Sequence, residues 1–138
     1  MFPDNDVPEV RELLWRAQGN DVYWHGLFGG IYLGNLRHET YRNLIAAETR
    51  LDAAAHSASS SGWIDLRVFD LDRDGHEEAV IATPALGLCV APAYGGSLLE
   101  LDYRPAQFNL LLDELAEFFS GRHFDTPIPT APTSRRPA

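Results

Sequence analysis

The sequence is poor in cysteine and poor in positive charge. Its single cysteine, Cys89, excludes an internal disulfide framework. Cys89 sits in the apolar run Leu86-Gly87-Leu88-Cys89-Val90, where a small buried hydrophobe is the plain reading. Lys and Arg number 11 against 20 Asp and Glu, a formal net charge of -9. A chain of that sign repels phosphate backbones, which argues against non-specific nucleic-acid binding. No apolar stretch reaches the roughly 18 residues needed to cross a bilayer. The segment Met1-Phe2-Pro3-Asp4-Asn5-Asp6 lacks the basic region and apolar core of a signal peptide. These features lead us to expect a soluble cytoplasmic protein with no membrane partner. Gly95-Gly96 is followed by neither a P-loop lysine nor a helix start, so it reads as a β-turn. His38, His56, His76 and His123 are scattered without ligand spacing, which argues against a histidine zinc site. There are no internal repeats.

What is present is ordinary globular material: 138 residues, 45% apolar and 22% charged, enough for one domain or two half-domains. Val10, Leu13, Leu14 and Ala17 fall on one helical face after Pro8, a residue tolerated in a first turn. Polar Gln18-Gly19-Asn20-Asp21 interrupts that stripe, and an aromatic cluster follows, Tyr23-Trp24-His25-Gly26-Leu27-Phe28-Gly29-Gly30. Helical spacing resumes from Ile31 through Leu33, Leu36, Thr40, Tyr41, Leu44, Ile45 and Glu48, and fades in the Ala/Ser stretch 53–61. From Gly62 the period changes to two. Ile64, Leu66 and Val68 alternate on one face of a half-buried strand. Further strands are expected at 79–82, 86–90 and 97–103, with a turn at 70–78. Phe108 to Phe119 reads as a helix through Leu111, Leu112, Leu115, Phe118 and Phe119. The expected fold class is α+β, an N-terminal helical pair joined to a partial antiparallel β-sandwich. The expected division is a helical segment 1–55, a linker 56–61, the start of a β-sandwich with a terminal helix 62–123, and a proline-rich disordered tail 124–138. Two helices and four strands each leave apolar faces or open edges, so neither half is complete by itself.

The run from Arg16 to Leu33, with Leu36-Arg37-His38 and Tyr41-Arg42-Asn43-Leu44-Ile45 after it, resembles a stretch of glycoside hydrolase family 57 enzymes of the α-amylase and 4-α-glucanotransferase type. The segments Asp70 to Glu78, Gly95 to Arg104 and Phe108-Asn109-Leu110 are similar to the same family further on. Gly19 departs from it, since members usually carry cysteine there. The resemblance implies the end of a helical region followed by the opening of a C-terminal β-sandwich domain. It also implies a glutamate nucleophile and an aspartate acid/base on a (β/α)₇ barrel to which nothing in this sequence corresponds. We therefore assign no catalytic residue here. The implied partner is an α-glucan or maltooligosaccharide, with a separate chain carrying the barrel as a possible second partner. The alternative is a carbohydrate-binding or partner-binding module without catalysis.

Within this frame the candidate substrate-binding residues are Asn20, Asp21, Trp24 and His25. An aromatic plane stacks on the C–H face of a pyranose, and Asn and His offer both donors and acceptors to hydroxyls. Asp21, Trp24 and His25 stand three and four apart, so a continuous helix would place them on one face. The competing reading makes the aromatics core. No cofactor is expected apart from calcium, for which Asp70, Asp72 and Asp74 are candidates in the pattern Asp-x-Asp-x-Asp-Gly. The glutamate that closes an EF-hand at its twelfth position is replaced by Ile81, so the loop is no EF-hand. Weak calcium binding, or plain turn formation by Asp and Gly, is expected, with Glu77 and Glu78 as further oxygen donors or strand-surface charges.

Overall fold

The computed structural model describes residues 7–25, 27, 29–58 and 62–112. Helix α1 (Val7–Ala17) and helix α2 (Gly34–Ala55) pack together, joined by a connection with two 3₁₀ turns, Asn20–Tyr23 and Gly30–Tyr32. Val10, Ala17, Ile45, Ala46 and Ala47 are buried. The alanines let the helix backbones approach, and Ile45 is the only large apolar side chain below 2% exposure among the described residues. Arg50 reaches from α2 to Glu9 on α1, an exposed pair that adds little stability.

Strands β1 (Asp65–Phe69), β2 (Glu78–Ala82), β3 (Leu86–Ala91), β4 (Ser97–Tyr103) and β5 (Phe108–Asn109) form one antiparallel sheet in sequence order. Each strand pairs with the one before it, so each connection is a hairpin. Thr83 tightens the β2–β3 turn by accepting the Leu86 amide on its hydroxyl at 2.8 Å. Gly95 and Gly96 both take positive φ and make the β3–β4 turn. A bulge at Cys89/Val90 shifts the β3–β4 register.

The sheet faces are inverted relative to the usual pattern. Register puts Arg67, Val80, Cys89 and Glu100 in one row, and Asp65, Ala82, Gly87, Asp102 and Asn109 in the next. This face, rich in charge, turns toward α2. Arg104 donates to Asp52 of α2 at 2.7 Å, and Trp63 lies flat against His56 with centroids 4.1 Å apart. The other face carries Leu66, Ile81, Leu88 and Leu101, beside Val68, Ala79, Val90 and Leu98. Ile64 is 77% exposed, Leu66 60% and Val68 54%. The alternation expected for β1 is present, but the strand is exposed, not half-buried. No second layer among the described residues lies over that apolar face.

The architecture is α+β, two helices followed by a five-stranded antiparallel sheet, and the sheet is a single layer among the described residues. One element differs from expectation. Phe108–Asn109 pairs with β4 as strand β5, because Gln107 takes a left-handed φ of 52° and turns the chain back. The rest of the helix expected up to Phe119, and the tail expected to be disordered, lie beyond residue 112 and outside the described residues. No helix among the described residues is long and apolar enough to cross a membrane.

Candidate functional site

The connection between the helices is fastened at Gly30. Its φ is +47°, and an added Cβ would lie 2.3 Å from the Trp24 carbonyl oxygen and 2.7 Å from the His25 carbonyl carbon. Only glycine fits such a crossing of two backbones. The Ile31 amide donates to the Trp24 carbonyl at 2.9 Å and closes the crossing. Tyr23 donates its hydroxyl to the Ala17 carbonyl at 2.7 Å, satisfying an acceptor left over at the end of α1. Arg37, buried in α2, donates to the Ile31 carbonyl from below.

Asn20, Asp21, Trp24 and His25 are all exposed on this connection. They do not share a helix face. Asn20–Tyr23 is a single 3₁₀ turn, and Trp24 leaves it in extended conformation at φ -152°, ψ 172°. The extended backbone at Trp24 breaks the continuity that the three-and-four spacing required. Asp21 lines a shallow depression of about 140 Å³ with Arg16, Glu39, Thr40 and Asn43, a lining that does not include Trp24 or His25. His25 instead stacks on Tyr32, centroids 5.3 Å apart and planes 27° off parallel, and their Oη and Nδ1 atoms are hydrogen-bonded. Trp24 is 51% exposed, so it is no core residue among the described ones. The sequence reading missed Tyr32; its signal was an aromatic seven residues after His25, across two glycines that bend the chain back.

A second polar cluster lies between α2 and the sheet, around a cavity of about 210 Å³ lined by Glu48, Arg67, Glu100, Asp102 and Arg104 among apolar neighbours. Asn109 donates to Asp102 at 2.8 Å. Burial, with Asp102 and Glu48 nearby, pushes the Glu100 carboxyl up to about 8. Burial also raises Glu48 and Asp102. Glu100 therefore keeps its proton near neutrality and hydrogen-bonds to Asp102. Glu100 and Asp102 are not among the sequence candidates; acids at alternate strand positions ordinarily mark a solvated face, and here that face turns to α2.

The acidic turn between β1 and β2 is built by its own carboxylates. Asp70 accepts the Asp74 and Gly75 amides, both at 3.1 Å, Asp72 accepts the Asp74 amide, and Glu78 accepts the Leu71 amide at 2.9 Å. Asp70, Asp72 and Glu78 bring one oxygen each within 4.8 Å of one another. Asp74, the third sequence candidate, is not in that group. Its Oδ2 takes the Tyr94 hydroxyl and its Oδ1 the His76 amide, which hold its carboxyl below the usual range.

Comparison with known proteins follows the same two halves. The family model described as "Alpha-amylase/4-alpha-glucanotransferase, middle domain" matches residues 1–51. The model described as "Alpha-amylase/4-alpha-glucanotransferase, C-terminal" matches residues 70–115. The chain is 39% identical over 109 residues to alpha-amylase 1 of Dictyoglomus thermophilum, a match spanning 78% of this chain and 15% of that protein. It is 38% identical over 102 residues to the 4-alpha-glucanotransferase of Thermococcus kodakarensis, spanning 74% and 14%. The crystal structure of the 4-alpha-glucanotransferase from Thermococcus litoralis superposes with a TM-score of 0.64 at 35% identity, over 76% of this chain and 15% of that one. The chain thus spans about 15% of the length of these relatives.

Proposed function

Because the chain belongs to the α-amylase/4-α-glucanotransferase family, we propose that it is a non-catalytic portion of an α-glucan-acting enzyme and supplies residues on the substrate side. The observation that carries this reading is the connection between the helices. It holds Trp24 and the His25–Tyr32 stack exposed on a backbone crossing that only glycine allows. Exposed Trp24 and the His25–Tyr32 stack offer aromatic planes and an imidazole to a hydroxyl-rich pyranose, while Asp21 lies in a separate depression. In this reading the ligand is an α-glucan or maltooligosaccharide, and the chemistry belongs to a barrel that these 138 residues do not include. Segment 1–55 closes the helical region, and 62–123 opens a β-sandwich whose second sheet would cover Leu66 and Val68. A cytoplasmic location goes with it, since one buried thiol and no disulfide framework suit a reducing compartment.

Titration of the full chain with maltoheptaose, followed by saturation-transfer NMR, tests the proposal. Binding should weaken about tenfold or more, roughly 1.4 kcal/mol, in Trp24→Ala, with the melting temperature unchanged. Absence of any transfer at millimolar maltoheptaose, or full binding by Trp24→Ala, would reject this site.

A further inference from the structure

We propose that the β1–β2 turn is a calcium site whose protein ligands are Asp70, Asp72 and Glu78. The turn starts as an EF-hand starts, with aspartates at its first, third and fifth positions and Gly75 at the sixth, but closes at the ninth position, not the twelfth. Glu78 is the first residue of β2, paired with Phe69 at the end of β1. A tight hairpin brings it back under Asp70 three residues sooner than a helix-flanked loop would. Gly75, at φ +94°, and Arg73, at φ 65°, make the reversal.

Two independent observations point to a cation. First, three carboxylate oxygens converge within 4.8 Å, and like charges at that spacing repel unless a cation lies between them. Second, Glu78 is 1% exposed, and its Oε1 is buried with no hydrogen-bond partner while Oε2 is held by the Leu71 amide. A buried oxygen without a donor is normally paired, and a metal ion satisfies it. Loop amides already orient Asp70 and Asp72, so the ligands are positioned before the ion arrives. All-oxygen carboxylate donors on a short, partly exposed turn suit calcium, whose remaining positions go to water and backbone carbonyls. Asp74 is committed to Tyr94 and plays a supporting part in the turn.

Calorimetric titration of the full chain, after chelator treatment, should give one calcium per chain with a dissociation constant in the range of about 10⁻⁵ to 10⁻³ M. The melting temperature should rise in calcium over chelator. Glu78→Gln and Asp72→Asn should each weaken binding about tenfold or more. Tyr94→Phe, which removes the hydroxyl from Asp74 and touches no ligand, should leave affinity within a few-fold. Asp72 is exposed, so Asp72→Asn keeps the test valid if Glu78→Gln fails to fold. No heat and no thermal shift in millimolar calcium would overturn the proposal. So would equal affinity for magnesium, or calcium binding unchanged in Asp72→Asn.

Discussion

Gly30 has no side chain because there is no room for one. Both its positive φ and the Trp24 carbonyl oxygen stand against a Cβ. Gly30→Ala should cost on the order of 1–3 kcal/mol for the backbone conformation alone, with the collision in addition. Gly95 offers the control, with φ +75° but nothing within 4 Å of an added Cβ. Gly95→Ala should cost only about 1 kcal/mol, the price of the left-handed conformation. Comparing the two by urea unfolding separates collision from conformation. Equal losses would mean the crossing at Trp24 and His25 is not what selects glycine.

Between elements, the polar interface of α2 with the sheet governs response to pH. Glu100, Glu48 and Asp102 all have carboxyls raised by burial. A raised carboxyl favours the protonated folded form, so its contribution is complete below the unfolded value near 4.5 and is lost as pH rises through the folded value near 8. Stability should therefore decline between those limits. Glu100→Gln should flatten the slope and raise the melting temperature at pH 8. A slope unchanged by Glu100→Gln would contradict the assignment. The Arg104–Asp52 pair at the same interface is buried at the arginine end, with 3% and 17% side-chain exposure. Asp52→Asn leaves a buried guanidinium short of its counter-charge and should cost about 3 kcal/mol in thermal or chemical unfolding. The period-two stretches, the glycine turns and the two long helices were legible because their signals are local. Strand β5 was not, because Phe108 to Leu112 also satisfies helical spacing and the turn at Gln107 carries no glycine. Nor was the shared face of Asp21, Trp24 and His25, since the spacing argument assumed a helix that the chain leaves at Trp24. Glu77 and Glu78 both read as oxygen donors or strand-surface charges; which of them meets Asp70 and Asp72 depends on hairpin register.

At the scale of the molecule, the exposed row Ile64, Leu66 and Val68 is the largest departure from a self-sufficient domain. The chain should self-associate or bind a hydrophobic dye, and Leu66→Lys with Val68→Lys should abolish this in sedimentation while the circular dichroism is kept. Unchanged association would place the contact elsewhere. The sheet's strict sequence order has a further consequence, which concerns time. Every pairing closes a hairpin, and the β2–β3 connection is only three residues, Thr83 to Ala85. Closing so short a loop takes on the order of 10–100 ns, and hairpins form within about 1–10 μs. Topologies with such local pairing fold fast for all-β structure, because no distant segment must be found first. Emerging strand by strand from a ribosome at about 5–20 residues per second, each hairpin has ample time to close before the next arrives. The sheet can thus assemble in the order in which its strands emerge, the β1–β2 hairpin being free to close before β3 joins it.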